Sequence, residues 1–174
     1  FQFTAKQHSL PTSGFVKVGD KRYDFSREHS FAVLDFGRGV WPRKAEWNWA
    51  MSSQRVRGRR IGLNFGGTWT DGTGMTENAV FIDGKMTKIH EDVIFTYNRD
   101  NFMEPWKIRT KFSDTVELSF TPFFERISST NSKLFRIKTH RLTGYFDGDV
   151  KLRDGSALQI RKMLGCSTEQ IVKW

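Results

Sequence analysis

The sequence predicts an all-β fold of antiparallel strands, on three observations. Helical periodicity is nearly absent. Short β-branched and aromatic runs recur along the whole chain, and Gly, Asp and Asn punctuate them. In order, Gly14–Val18 and Lys21–Phe25 flank Gly19-Asp20, a two-residue hairpin turn. Strands are expected at 31–36, 47–53 and 60–65. Ala79–Ile82 and 85–89 flank Asp83-Gly84, the strongest turn signal in the chain, because Asp-Gly tolerates the positive φ of a type I′ turn. Further strands are expected at 93–97, 106–111, 116–121, 134–142, 144–152, 158–164 and 170–174. Val116-Glu117-Leu118-Ser119-Phe120 alternates cleanly, which gives one buried and one wet face. A short helical turn is expected only at 27–31 and 168–172. Strands in this sequence order form an antiparallel meander, and so extended a sheet must close into a barrel or stack as a two-sheet sandwich to protect its edges. With no linker, repeat or low-complexity tract, residues 1–174 read as a single β domain.

Composition narrows the function. Sixteen Phe and six Trp in 174 residues carry too much ring surface to stay solvated, so disorder is excluded. No apolar run is long enough for a transmembrane segment. No leader is visible, and one cysteine, Cys166, forms no internal disulfide, so a cytoplasmic location is favoured. The four His are scattered without zinc-ligand spacing, so neither a metal nor another cofactor is expected. The net charge of +9 favours anionic partners, and Arg55, Arg57, Arg59 and Arg60 form its densest cluster. The remaining basic residues are dispersed and no nucleic-acid motif accompanies them, so nucleic-acid binding is not expected.

Two segments carry candidate chemistry. Residues 64–78 are rich in Gly and polar groups yet contain Trp69 and Met75. No helix or phosphate-binding Lys follows, and Asp71, Thr73 and Glu77 make a thin calcium pattern that Met75 interrupts. The segment is either a long hairpin connection or a binding or catalytic rim loop. In Glu46-Trp47-Asn48-Trp49, a strand puts both indoles on one side, as a stacking platform or as ordinary core. The acidic groups Glu46, Asp71, Glu77, Glu125 and Glu169 supply general acid/base pairs wherever the fold brings two together.

The chain resembles the proteins catalogued as domain-of-unknown-function family 2804. The matching pieces run in order: Trp47-Asn-Trp-Ala50, Gly62-Leu-Asn-Phe-Gly66, Thr76-Glu-Asn78, Asp83-Gly84 with Lys88, Pro105-Trp-Lys-Ile-Arg109, Leu118-Ser-Phe-Thr-Pro-Phe123, Gly144-Tyr-Phe-Asp-Gly148, then Gly165 to Glu169 and the terminal Trp174. It departs at Cys166, where members often carry an aromatic residue. The resemblance implies that this stretch is the C-terminal part of a longer protein, whose strand-rich N-terminal portion precedes Phe1. It also implies a distant likeness to the carotenoid hydratase and tocopherol cyclase group, with lipocalin-like paired barrels. The family implies no activity and no catalytic residues.

The expected function is therefore a lipocalin-like module that binds an apolar or isoprenoid-type small molecule through Trp47, Trp49, Asn64, Glu77 and Asn78. An enzyme on the same scaffold is the alternative, either a hydratase or cyclase or a glycan hydrolase. It would use Glu77 as a carboxyl of raised pKa beside Met75 and Trp69. A structural or anionic-surface binding protein is the third reading. The expected partners are the apolar ligand, and the missing N-terminal portion or another chain that covers an exposed sheet.

Overall fold

The computed structural model describes residues 2–132 and 135–173. Phe1, Leu134 and Trp174, the last two being ends of expected strands, lie outside the described residues. Those described form thirteen strands and no helix: β1 Gln2–Pro11, β2 Gly14–Val18, β3 Lys21–Phe25, β4 Phe31–Gly39, β5 Lys44–Val56, β6 Arg59–Gly67, β7 Ala79–Ile82, β8 Lys85–Lys88, β9 Val93–Thr96, β10 Trp106–Thr110, β11 Val116–Asn131, β12 Arg136–Lys151 and β13 Ala157–Lys173. Strands β5 to β8 make one antiparallel meander and β9 to β13 a second. Pairing of β5 with β13 joins them into one nine-stranded sheet.

The sheet is strongly curled, as a half-barrel. Its β9 edge returns toward β5 and β6. Asn48 Nδ2 donates to the Tyr97 hydroxyl at 3.0 Å, and a Cβ added to Gly67 would meet the Phe95 ring at 2.9 Å. The concave face is filled with side chains. Trp106, Phe120, Phe146 and Phe65 are fully buried there, along with Ile61, Leu63 and Ile108. Strict alternation puts every second residue of β10 and of the first half of β11 into this core. Gly144 on β12 pairs with Gly165 on β13 beneath the rings. A Cβ on Gly144 would fall 2.7 Å from Phe120, and one on Gly165 would fall 2.7 Å from Phe146. The glycine pair is the floor on which these two rings meet, with centroids 4.7 Å apart.

The opposite, outer face of β5 to β7 is covered by the β1–β4 ribbon. One extra residue in β1 between Gln7 and Leu10 makes a bulge, with Ser9 at φ 55°. The bulge turns both His8 and Ser9 inward, and both are buried. Ser9 sits over Gly62, where a Cβ would come within 2.3 Å of its hydroxyl.

The expected antiparallel architecture is present, with several strands joined or lengthened. The expected pairs 134–142 with 144–152, and 158–164 with 170–174, are single long strands, β12 and β13. Strand β11 runs on to Asn131, and β1 answers to no expected strand. Of the two expected helical turns, 27–31 contains a tight turn closed by Ser30 N on Ser26 O at 2.8 Å, whereas 168–172 lies within β13. In the latter, pairing on both sides overrides local preference. The expected Asp83-Gly84 turn has φ of 53° and 86°, the type I′ pattern. The β2–β3 hairpin leaves Phe15, Val16, Val18, Tyr23 and Phe25 exposed, and the sheet's outer face exposes Phe123, Phe124 and Leu164.

Gly165→Ala is expected to destabilise the chain by about 2 kcal/mol, since the added methyl has rigid Met51 carbonyl and packed Phe146 ring in its way. Guanidinium unfolding of the two proteins measures it. Equal midpoints would show that the rings can move aside.

Candidate functional site

Alternation along β5 points Asn48, Ala50 and Ser52 into the core, all buried. Trp47 and Trp49 therefore face outward, beneath the β1–β4 ribbon. They form one wall of a cavity of about 380 Å³. Trp41, following β4, and Trp69, following β6, complete a lining of four indoles. The ribbon supplies the other wall: Thr4 pairs with Gly37 and Lys6 with Asp35 across β1 and β4, and all four line the cavity. A Cβ on Gly37 would approach the Trp41 ring at 3.3 Å, so glycine there lets the indole lie against the backbone.

One corner is polar. Glu77 Oε1 accepts from the Thr4 hydroxyl at 2.6 Å and from Lys6 Nζ at 3.1 Å. Lys6 also donates to Asp35 Oδ1 at 2.7 Å, and its ammonium stands 5.4 Å from the centroid of a Trp49 ring. The cation is thus shared by two carboxylates and an aromatic face.

Behind the wall, Asn64 uses both ends of its amide. Its Oδ1 accepts from Trp49 Nε1 at 2.7 Å and lies 2.9 Å from His8 Nε2, while its Nδ2 donates to the Glu77 carbonyl at 2.6 Å. An oxygen between two ring nitrogens requires that His8 carry its proton on Nε2. His8 stacks on Phe81 at 5.2 Å. Asn78, fully buried, accepts from Gly66 N at 2.8 Å and donates to the Glu91 carbonyl at 2.9 Å.

Of the residues singled out from the sequence, Trp47, Trp49 and Glu77 line the cavity. Asn64 orients Trp49 from behind, and Asn78 holds the loop that delivers Glu77. Trp69 shares the cavity with Glu77, and Met75, though 79% exposed, lines an adjoining cavity with both of them. Thr4 and Lys6 carry no signal in the sequence, because β1 mixes polar and apolar residues without a clean period; Asp35 lies on the expected strand 31–36 and Trp41 follows it, but neither residue type marks a site there. The other acids gather elsewhere. Glu169, buried on the inner face, accepts from Tyr97 and pairs with Arg99 at 3.0 Å, and Arg99 also reaches Glu46. Burial first, and then the Glu169 hydrogen bond, push the Tyr97 phenol above its ordinary range. Glu125 Oε1 lies 2.6 Å from His140 Nδ1.

The family model described as "Domain of unknown function (DUF2804)" matches residues 1–174, and the chain belongs to that family. Neither the curated proteins nor the solved structures contain a match.

Burial lowers the His8 pKa to about 4; Asn64 opposes that shift, and the Lys6 charge adds to it. Between that value and 6.5 the unfolded chain binds the extra proton, so stability rises with pH across the window. The His8 contribution is complete above pH 6.5 and is lost as pH falls toward 4. Its full size is about 3 kcal/mol. Urea unfolding at pH 7 and pH 5 is expected to show a fall that His8→Gln largely removes. A pH response unchanged in the variant would assign it to other groups.

Proposed function

We propose that the four-tryptophan cavity is a binding site for a small molecule with an apolar body, of isoprenoid or similar type, and one polar group. The observation that supports this is a half-open cavity of 380 Å³ lined by Trp41, Trp47, Trp49 and Trp69, with Thr4, Lys6, Asp35 and Glu77 as its polar corner. Ligand pockets combine mostly apolar walls with a few placed hydrogen-bonding groups in this way. A hydroxyl at that corner would meet carboxylate acceptors and an ammonium donor together.

A second reading is an enzyme at the same place. Asp35 and Glu77 both face the cavity, and paired carboxylates beside indole faces suit a glycan hydrolase; a hydratase or cyclase needs one carboxyl to protonate an apolar substrate. Both known contacts of Glu77 Oε1 are donated to it, which favours the binding role. The exposed rings of the β2–β3 hairpin are where the expected N-terminal portion, or another chain, would pack.

Titration of tryptophan fluorescence with a long-chain isoprenoid alcohol, and separately with a β-linked oligosaccharide, separates the readings. The alcohol is expected to quench saturably, with roughly tenfold weaker affinity in Glu77→Gln at an almost unchanged melting temperature. Saturation by the oligosaccharide alone would favour the glycan reading. Response to neither, or a large fall in melting temperature with affinity intact, would make Glu77 structural.

A further inference from the structure

The arginine cluster of the β5–β6 hairpin gains a distant member through an irregularity in β13. Between Phe146 and Gly148 of β12, β13 carries one extra residue, since Met163 and Ile160 are their partners. Lys162 bulges there at φ 49°, and its amide is held by Asp147 Oδ1 at 2.9 Å. The regular β5–β13 ladder ends at Ser52 and Gly165. Beyond it the strands diverge, and the gap is a cavity of about 320 Å³. Its apolar lining includes Val56, Ile61 and Leu158, and Arg57, Arg59 and Arg161 also line it.

Two of these arginines pair with exposed carboxylates. Arg59 pairs with Asp83 at 3.1 Å and Arg161 with Asp149 at 3.6 Å, with all four side chains about half exposed or more. Such pairs are weak and open readily to a better anion. Arg161 also donates from Nη1 to the carbonyls of Gly148 and Ile160, at 2.7 and 2.8 Å. Arg57 makes no hydrogen bond or ion pair among the described residues. It also occupies a conformation that disfavours it. Arg57 and Gly58 have φ of 49° and 79°, a type I′ turn that Asn-Gly would fill with less strain. An arginine in the left-handed region, where Asn or Gly would cost less, points to a use for its side chain.

We infer that this cavity binds a phosphate ester carried on a short apolar stem, with Arg57, Arg59 and Arg161 around the phosphate and the stem against Val56, Ile61 and Leu158. Guanidinium groups match phosphate oxygens in pairs, and three, two from the β5–β6 hairpin and one from β13, can surround one head. The inference is independent of the tryptophan cavity, which lies under the β1–β4 ribbon.

Calorimetric titration of the whole chain with inorganic pyrophosphate, octyl phosphate and octanol tests it. Octyl phosphate is expected to bind most tightly and octanol not detectably. Arg57→Asn is expected to weaken phosphate binding at least tenfold while raising the melting temperature, since Asn suits the turn. Arg59→Gln, on the strand, should weaken it in the same sense. Vesicles of phosphatidylcholine with and without phosphatidic acid identify the source. Arg57-dependent binding to the acidic vesicles alone would assign a lipid headgroup, and binding to octyl phosphate alone a soluble ester. Absence of all phosphate binding, binding unchanged in Arg57→Asn, or binding confined to a single-stranded polynucleotide would overturn the inference.

Discussion

The pairing of β5 with β13 is the constraint on which the rest depends. It is the seam between two meanders, each of which alone would leave an open edge. Nine cross-strand partners, from Gly165 with Ser52 to Lys173 with Lys44, hold it. Because β5 is central, both of its faces must be covered. Its inward residues Asn48, Ala50 and Ser52 are buried by the curl, and its outward indoles are half-buried beneath the ribbon. Where the seam stops, at Gly165, the second cavity opens. Both cavities therefore follow from where β5 is paired and where it is not.

Much of this fold was legible in the sequence, because its hairpins are local. Gly19-Asp20 and Asp83-Gly84 announce their turns by residue type, and the strands they join end where turn chemistry begins. The long strands were harder to read. In β12 and β13, glycines at 144 and 165 look like breaks, yet they are continuous strand positions emptied so that Phe120 and Phe146 can pack. Gly in a strand marks either a turn or a close approach, and only the partner decides which. The seam itself joins residues more than a hundred positions apart, and no local pattern reports it.

The candidate site was half legible for the same reason. Trp47 and Trp49 share a face because strands alternate, and Asn64 and Glu77 come close because β5, β6 and β7 are sequential neighbours. Thr4, Lys6 and Asp35 come from a ribbon whose packing depends on a bulge at Ser9 and on the gap left by Gly62. Those are tertiary facts. Asn64 links the two sets, since its single amide holds Trp49, His8 and the Glu77 backbone at once. Neither sequence position nor residue type distinguishes such an amide from one that caps a turn.

A closed barrel holds a small ligand in its interior, whereas the tryptophan cavity lies on the outer face of this sheet, and packing energetics explain the placement. The curl closes on its own side chains, with Trp106, Phe120 and Phe146 fully buried. An empty space of 380 Å³ in that core would cost on the order of 9 kcal/mol at the rate measured for core cavities. That is comparable to the whole stability of a domain this size. Under the ribbon the cost is different in kind. The walls there include Lys6, Asp35 and Glu77, which water can solvate when no ligand is present, and the ribbon is anchored through His8, Ser9 and Thr4 rather than by filling the space beneath it. A half-barrel can therefore keep a tight core and still offer a cavity, provided that the cavity is built between the sheet and a separate cover.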